Sequence, residues 1–65
     1  MEIRIQQHPE SKEHQIAIVT TARGYVYATT FAPMDEPLTN EFIERDWKQD
    51  RKGYRPYDES TGRYV

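Results

Sequence analysis

The sequence predicts a small α+β domain in which one helix packs on one face of a three-stranded antiparallel sheet. The first half of the chain has strand-like patterns, the second half has an apolar stripe of helical period, and 65 residues suffice for one domain with a thin core. We expect residues 1–53 to form a β-β-β-α domain. We expect residues 54–65 to form an irregular, tyrosine-containing tail that either packs on the sheet or is ordered by a partner.

The first strand is predicted at about 2–7. Ile3 and Ile5 alternate there with Arg4, which is the pattern of a strand with one solvated side. The polar, proline-marked segment at 8–13 follows, and it is typical of a loop between antiparallel strands.

The second and third strands are predicted at about 14–21 and 25–31, the part of the chain richest in β-branched and aromatic residues. Gly24 separates them, at the place where a type I turn followed by a left-handed glycine would close a hairpin. Both sides of the second strand are partly apolar, which indicates a central position. One face of the sheet should meet the helix and the other should be available to a partner.

The helix is predicted at about 38–51, after a proline-framed connector at 33–37. Thr39 or Asn40 can cap its first turn, and Gly53 can end it. The apolar residues of this segment recur with helical spacing and form one stripe, in which Trp47 and Phe42 are expected in the core: Leu38, Phe42, Ile43 and Trp47.

The composition narrows the functional classes. The chain has no cysteine, which excludes disulfide scaffolds, thiolate nucleophiles and cysteine-containing metal sites. A formal net charge of −2 argues against the basic surface of a typical nucleic-acid-binding protein. Because the sequence has neither an apolar run of membrane-spanning length nor a signal-peptide core, we expect a soluble, cytoplasmic protein.

The sequence shows no set of residues suited to catalysis or to cofactor binding. His8 and His14 flank a polar loop, but their spacing is not that of a metal site, so we interpret them as loop residues. Adjacent acids such as Asp58 and Glu59 are more typical of solvated turns than of an acid–base pair across a cleft. We therefore predict that the protein is not an enzyme, holds no metal and needs no cofactor.

One string has the character of a motif: Arg23-Gly24-Tyr25-Val26-Tyr27. It resembles the basic-glycine-aromatic opening of the RNA-recognition-motif signature, in which strand aromatics stack on bases. The chain then departs from that family, with Val26 at the small position and Thr30 at the final aromatic position, and it is too short for the βαββαβ fold. The resemblance implies single-stranded nucleic-acid binding as an alternative function.

A structural interpretation of the same tyrosines is that they pack across the hairpin. Tyr25 and Tyr27 would then be cross-strand partners of Ile16 and Ile18.

The remaining class is a protein-interaction module. Tyrosine and arginine are enriched in protein interfaces, and we predict that these residues bind a larger protein: Arg23, Tyr25, Tyr27, Tyr54, Arg55, Tyr57, Arg63 and Tyr64. Small size and the absence of cysteine are typical of inhibitors that phages and mobile elements direct at host machinery. We therefore expect a non-catalytic regulator or inhibitor, with an obligate homodimer, paired through a sheet edge or face, as a further alternative.

Overall fold

The protein, described here by a computed structural model, folds as one helix and an antiparallel sheet. The structure describes residues 1–8, 10–32 and 38–65, so the predicted connector at 33–37 lies outside the described residues. The elements, in chain order, are strands β1 (Glu2–Gln7), β2 (Gln15–Thr20) and β3 (Val26–Phe31), helix α1 (Asn40–Gln49), a 3₁₀ turn (Arg51–Gly53), and strands β4 (Arg55–Asp58) and β5 (Arg63–Tyr64).

The predicted α+β class and antiparallel sheet are confirmed, whereas the predicted number of strands is wrong. The described residues form five strands in the order β1-β2-β3-β4-β5, not three, and residues 54–65 contribute a short hairpin where an irregular tail was expected. The first strand has its predicted bounds, and the second and third are shorter than predicted. Helix α1 is shorter than 38–51, because Thr39 caps its start and a 3₁₀ turn follows Asp50.

The hairpin between β2 and β3 has the predicted geometry. The Gly24 amide donates to the carbonyl of Thr21 at 2.9 Å, which closes the turn, and Gly24 has a φ of +91°. The Thr21 amide donates in turn to the carbonyl of Tyr25 at 2.9 Å. The left-handed conformation of Gly24 is one that glycine adopts without steric cost.

Strand β2 is the centre of the molecule, because both of its faces are buried. Its four central residues, Ile16 to Val19, are all at most 2% exposed. Ala17 and Val19 lie on the face that meets α1, and this helix-face core also contains Ile43, Trp47 and Tyr54. Partly buried apolar side chains surround it: Ile3, Ile5, Tyr27, Phe31 and Leu38.

The second face of the sheet is covered by the β4–β5 hairpin. Ile16 and Ile18 form a second core with Ala28 and Tyr57, and Val26 and Tyr64 pack against it. At the tip of the hairpin, Glu59 forms an ion pair with Arg4 of β1. The expectation that this face would be available to a partner is therefore corrected, because the chain covers the face with its own last residues.

The register also corrects the predicted packing of the tyrosines. Tyr27 lies opposite Val19 in the β2–β3 ladder, so its side chain is on the helix face and not beside Ile16 and Ile18. Directly opposite residues of an antiparallel pair point to the same face, which fixes this assignment.

Pro56 is accommodated in β4 because its backbone faces away from β3. The β3–β4 register pairs Ala28 with Arg55 and Tyr27 with Pro56. The carbonyl of Pro56 accepts from the amide of Val65 at 3.1 Å, on the β5 side. Successive residues of a strand direct their backbone groups to alternate sides, so the missing amide of proline costs the β3 ladder nothing.

Helix α1 is capped and packed as its sequence predicts, with one exception. The hydroxyl of Thr39 accepts from the amide of Phe42 at 3.1 Å, which satisfies an otherwise unpaired donor of the first turn. Ile43 and Trp47 are buried as predicted, but Phe42 is 40% exposed. Its ring meets Phe31 edge-on at 5.9 Å between centroids, at the border of the core.

No helix in the described ranges is long and apolar enough to cross a membrane.

Replacing the buried side chain of α1 should destabilise the protein far more than replacing its exposed neighbour. Ile43→Ala removes a fully buried side chain and is expected to lower the free energy of unfolding by about 2–5 kcal/mol. Phe42→Ala removes more atoms from a partly exposed site and should cost clearly less. Urea denaturation followed by circular dichroism measures both losses, and equal losses would contradict the assignment of Ile43 to the core centre.

The turn glycine gives a prediction that depends on the backbone alone. A Cβ added at Gly24 would have no heavy atom within 4 Å, so any cost of Gly24→Ala comes from its positive φ. We expect a loss of about 1–2 kcal/mol. Gly24→Asn is the matched control and should lose less, because asparagine tolerates the left-handed region better. Equal stability of the alanine variant and the native protein in urea denaturation would show that the turn is not as described.

Candidate binding groove

An open groove lies at the end of the molecule where the β2–β3 hairpin meets the last turn of α1. Its volume is about 520 Å³, within the range of sites that take ligands or peptide side chains. Tyr25, Tyr27 and Trp47 form its aromatic walls, and Arg23 and Arg51 lie at its border. The lining is completed by the hairpin residues Thr21 and Ala22 and by Met1.

Two of the aromatic walls are held in place by the core. The ring of Trp47 lies 5.3 Å from that of Tyr27 between centroids, and it meets Tyr54 edge-on at 5.2 Å. Trp47 is 7% exposed, so only a small part of it lines the groove, and most of its side chain lies in the helix-face core with Ile43. These rings need no rearrangement to receive a ligand.

Tyr25 is the exposed wall. Its side chain is 60% exposed, although its backbone is fixed by the hairpin. The Tyr25 amide donates to the hydroxyl of Thr21 at 3.2 Å, and its carbonyl accepts from the Thr21 amide. An exposed aromatic ring on a rigid turn loses little conformational entropy on binding, which is typical of an interface residue.

The charged side chains at the groove are both arginines, among the residues that the structure describes. The guanidinium of Arg51 lies over the ring of Trp47, 5.2 Å from its centroid, in a cation–π arrangement. Arg23 projects from the hairpin turn and is exposed. The groove is thus locally electropositive in a chain whose formal net charge is −2.

Tyr54 supports the groove from behind. Its hydroxyl donates to a carboxylate oxygen of Asp46 at 2.8 Å, and its side chain is 5% exposed. Burial raises the pKa of the Tyr54 hydroxyl well above its ordinary value, and the hydrogen bond to Asp46 raises it further. Tyr54 therefore fixes the position of Trp47 and does not itself face solvent.

The other predicted binding residues lie on the opposite side of the molecule. Tyr57 is buried in the second core, and the Tyr64 hydroxyl hydrogen-bonds that of Thr30 at 3.1 Å. The guanidinium of Arg55 lies over the ring of Tyr64, at 5.2 Å from its centroid. Together with Arg63 these residues form a group that is separate from the groove.

The eight predicted residues thus divide into two groups. Arg23, Tyr25 and Tyr27 come together at the groove, with Tyr54 buried behind them. The predicted binding residues did not include Trp47 and Arg51, because Trp47 was expected in the core and Arg51 at the helix end. Their spacing of four residues was the available signal, because it would bring the two side chains together on the helix predicted at 38–51.

A smaller cleft of about 170 Å³ lies beside the β4–β5 hairpin, with His8, Glu10 and Arg63 on its border. Nδ1 of His8 accepts from the Glu10 amide at 3.1 Å, and Nδ1 of His14 shares a hydrogen bond of 2.7 Å with the Ser11 hydroxyl. Within the described ranges, no group of three or more potential metal ligands is brought together. Both histidines thus have local hydrogen-bond partners within their loop.

The carboxylates of the C-terminal hairpin organise its turn. Asp58 accepts from the amide of Ser60 at 2.9 Å and from its hydroxyl at 2.6 Å, and these bonds lower the pKa of the Asp58 carboxyl. Glu59 is engaged with Arg4. The two acids therefore have separate structural partners.

No protein-family model, curated protein or solved structure matches the chain. The function of the groove must be inferred from its own residues.

The Tyr54 hydroxyl predicts a loss of stability at high pH. Because its folded-state pKa lies above the ordinary value of 10.0, it stabilises the fold fully below pH 10, and this contribution is lost as the pH rises further. Tyr54→Phe should cost about 0.5–1.5 kcal/mol at neutral pH and should lose less stability than the native protein above pH 10.

Urea denaturation at pH 7 to 11 measures both effects. Tyr25→Phe, which removes an exposed hydroxyl, is the matched control and should retain the native pH dependence. A Tyr54→Phe variant with the same alkaline loss as the native protein would contradict the role of this hydroxyl.

Proposed function

We propose that the protein is a small, non-catalytic, cytoplasmic regulator that binds a larger protein and inhibits it. The observation that supports this proposal is the groove, in which an exposed Tyr25 and two arginines surround aromatic rings fixed by the core. Tyrosine, tryptophan and arginine are the residue types that dominate the energetics of protein interfaces. Rings that are already fixed lose little entropy on binding, which favours affinity from a small contact area.

The chemical character of the groove favours binding over catalysis. The lining described by the structure holds two guanidinium groups, aromatic rings and short hairpin side chains, with no carboxylate or imidazole to serve as a general base. Guanidinium groups remain protonated and act as hydrogen-bond donors. The groove is thus equipped to recognise a partner.

Single-stranded nucleic acid is the second candidate, because the exposed ring of Tyr25 lies near Arg23 and could stack on a base. The overall charge of −2 is unfavourable to it, as is the position of Arg55 and Arg63 on the other side of the molecule. Salt dependence distinguishes the two candidates, because the affinity for phosphates falls steeply as the salt concentration rises, whereas the affinity of an aromatic-anchored protein interface falls much less.

Homodimerisation through the second face of the sheet has less support from the structure than from the sequence. The apolar second face, which a homodimer would have buried, is covered by Tyr57 and Tyr64 of the same chain. The outer edge of β1 is the surface that supports this alternative, since an edge strand presents unpaired backbone groups.

The proposal is tested by affinity capture from lysates of the source cells and, for a mobile-element protein, of its host. We expect a protein partner that is retained after nuclease treatment and at physiological salt. Tyr25→Ala should reduce capture about tenfold, the effect of losing one interface hot spot. Tyr27 is unsuitable for this test, because it is part of the helix-face core.

Arg51→Ala and Arg55→Ala form a matched pair. Each arginine lies 5.2 Å from an aromatic centroid, Arg51 at the groove and Arg55 across the molecule. Only Arg51→Ala should weaken capture. If Arg51→Ala, Arg55→Ala and Tyr25→Ala all captured as much partner as the native protein does, the groove would be excluded as the site. Loss of all captured material on nuclease treatment would favour the nucleic-acid alternative.

A further inference from the structure

We infer that the groove binds an extended acidic segment of its protein partner, with a proline or aromatic side chain between the rings and a carboxylate on the arginines. This inference rests on the proposed function, because it names the part of the partner that occupies the same groove. Three features of the described residues support it: the sign of the charge at the groove, the way Arg51 is held, and the shape and composition of the walls.

The charge at the groove favours an acidic partner. Arg23 and Arg51 are its charged side chains, and neither forms an ion pair with a carboxylate within residues 1–8, 10–32 and 38–65. Arginine is suited to carboxylates because its planar fork donates two parallel hydrogen bonds to the two carboxylate oxygens. A neutral or basic segment would leave both guanidinium groups without such a partner.

Arg51 is already positioned for this role. Its guanidinium lies over the ring of Trp47 at 5.2 Å, and Trp47 is in turn fixed by Tyr27 and Tyr54. A guanidinium held over an aromatic ring by a cation–π contact still has N–H donors for hydrogen bonding. The arginine therefore loses less side-chain entropy on binding a carboxylate than a solvated arginine would.

The aromatic walls of the groove favour a proline or aromatic side chain in the bound segment. Tyr25, Tyr27 and Trp47 form an aromatic groove, and such grooves bind proline-containing or aromatic side chains of extended peptides. A volume of about 520 Å³ accommodates a few side chains of an extended chain, whereas a helix is about 10–12 Å across.

A nucleic-acid strand fits the same groove less well. Sequence-independent strand binding needs a basic path along several phosphates, and the groove supplies two arginines in a chain of net charge −2. One or two carboxylates of a peptide, by contrast, can be bound by these two arginines alone.

Selection from a library of random dodecapeptides displayed on phage, with the whole protein as bait, tests the inference. We expect enriched peptides that carry aspartate or glutamate next to proline or an aromatic residue. Trp47 is the single tryptophan of the chain and lines the groove, so its fluorescence reports binding of each synthetic peptide directly.

A double-mutant cycle identifies the contact. Replacing the acidic residues of an enriched peptide by their amides should weaken its binding to the native protein about tenfold, and Arg51→Gln should do the same for the acidic peptide. Arg51→Gln should change the binding of the amide peptide little, because the two losses report one interaction. Arg55→Gln is the matched control and should bind both peptides as the native protein does.

Each contrary result has a distinct meaning. Enriched peptides without acidic residues, or no enrichment above the bare matrix, would overturn the inference while groove-dependent capture of a protein partner would still uphold the proposed function. Tighter binding of a thymidine oligonucleotide than of the acidic peptides would overturn it in favour of nucleic acid. Capture from lysate that is insensitive to Tyr25→Ala and Arg51→Ala would instead overturn the proposed function.

Discussion

The structure depends on the burial of strand β2 from both sides. Four successive residues, Ile16 to Val19, are buried, and successive side chains of a strand point to opposite faces. The sheet therefore needs two covers, although a chain of 65 residues has material for little more than one helix beside its strands. Helix α1 covers one face, and the β4–β5 hairpin covers the other with Tyr57 and Tyr64. The tyrosines of the last segment thus supply apolar area that a thin core would otherwise lack.

The sequence predicted the part of this arrangement that follows from local patterns. Apolar residues on both sides of the second strand indicated its central position, and the glycine between the strands indicated the hairpin. The two strands of the second cover were not predicted, because β4 has four residues and β5 has two, too few for alternation to be recognised. Packing of this segment on the sheet was one of the two expectations for it. Pro56 and Gly62 also give that segment a turn-like composition. The presence of three tyrosines in it was a signal of packing, but their partners depend on how the hairpin folds over the sheet.

The candidate site was predictable to a smaller extent, because tyrosine is used both in cores and at interfaces. Tyr25 and Tyr27 are two residues apart on one face of the same hairpin, yet the first is exposed and the second packs on Trp47. The difference arises because Tyr27 lies opposite Val19 within the ladder, whereas Tyr25 lies just before β3 begins. Composition cannot distinguish these environments. The groove also needs the last turn of α1 beside the hairpin, and that proximity is a property of the tertiary packing alone.

Trp47 links the stability of the protein to its proposed function. The same indole packs with Ile43, contacts the rings of Tyr27 and Tyr54, lies under the guanidinium of Arg51 and lines the groove. A site built from the outer edges of core residues is preorganised by the forces that fold the domain, so binding needs little further ordering. This shared use of Trp47 also limits how the site can change, because a substitution of Trp47 alters the core and the groove together. Variation in specificity should therefore be concentrated at Tyr25, Arg23 and Arg51, whose side chains lie outside the core.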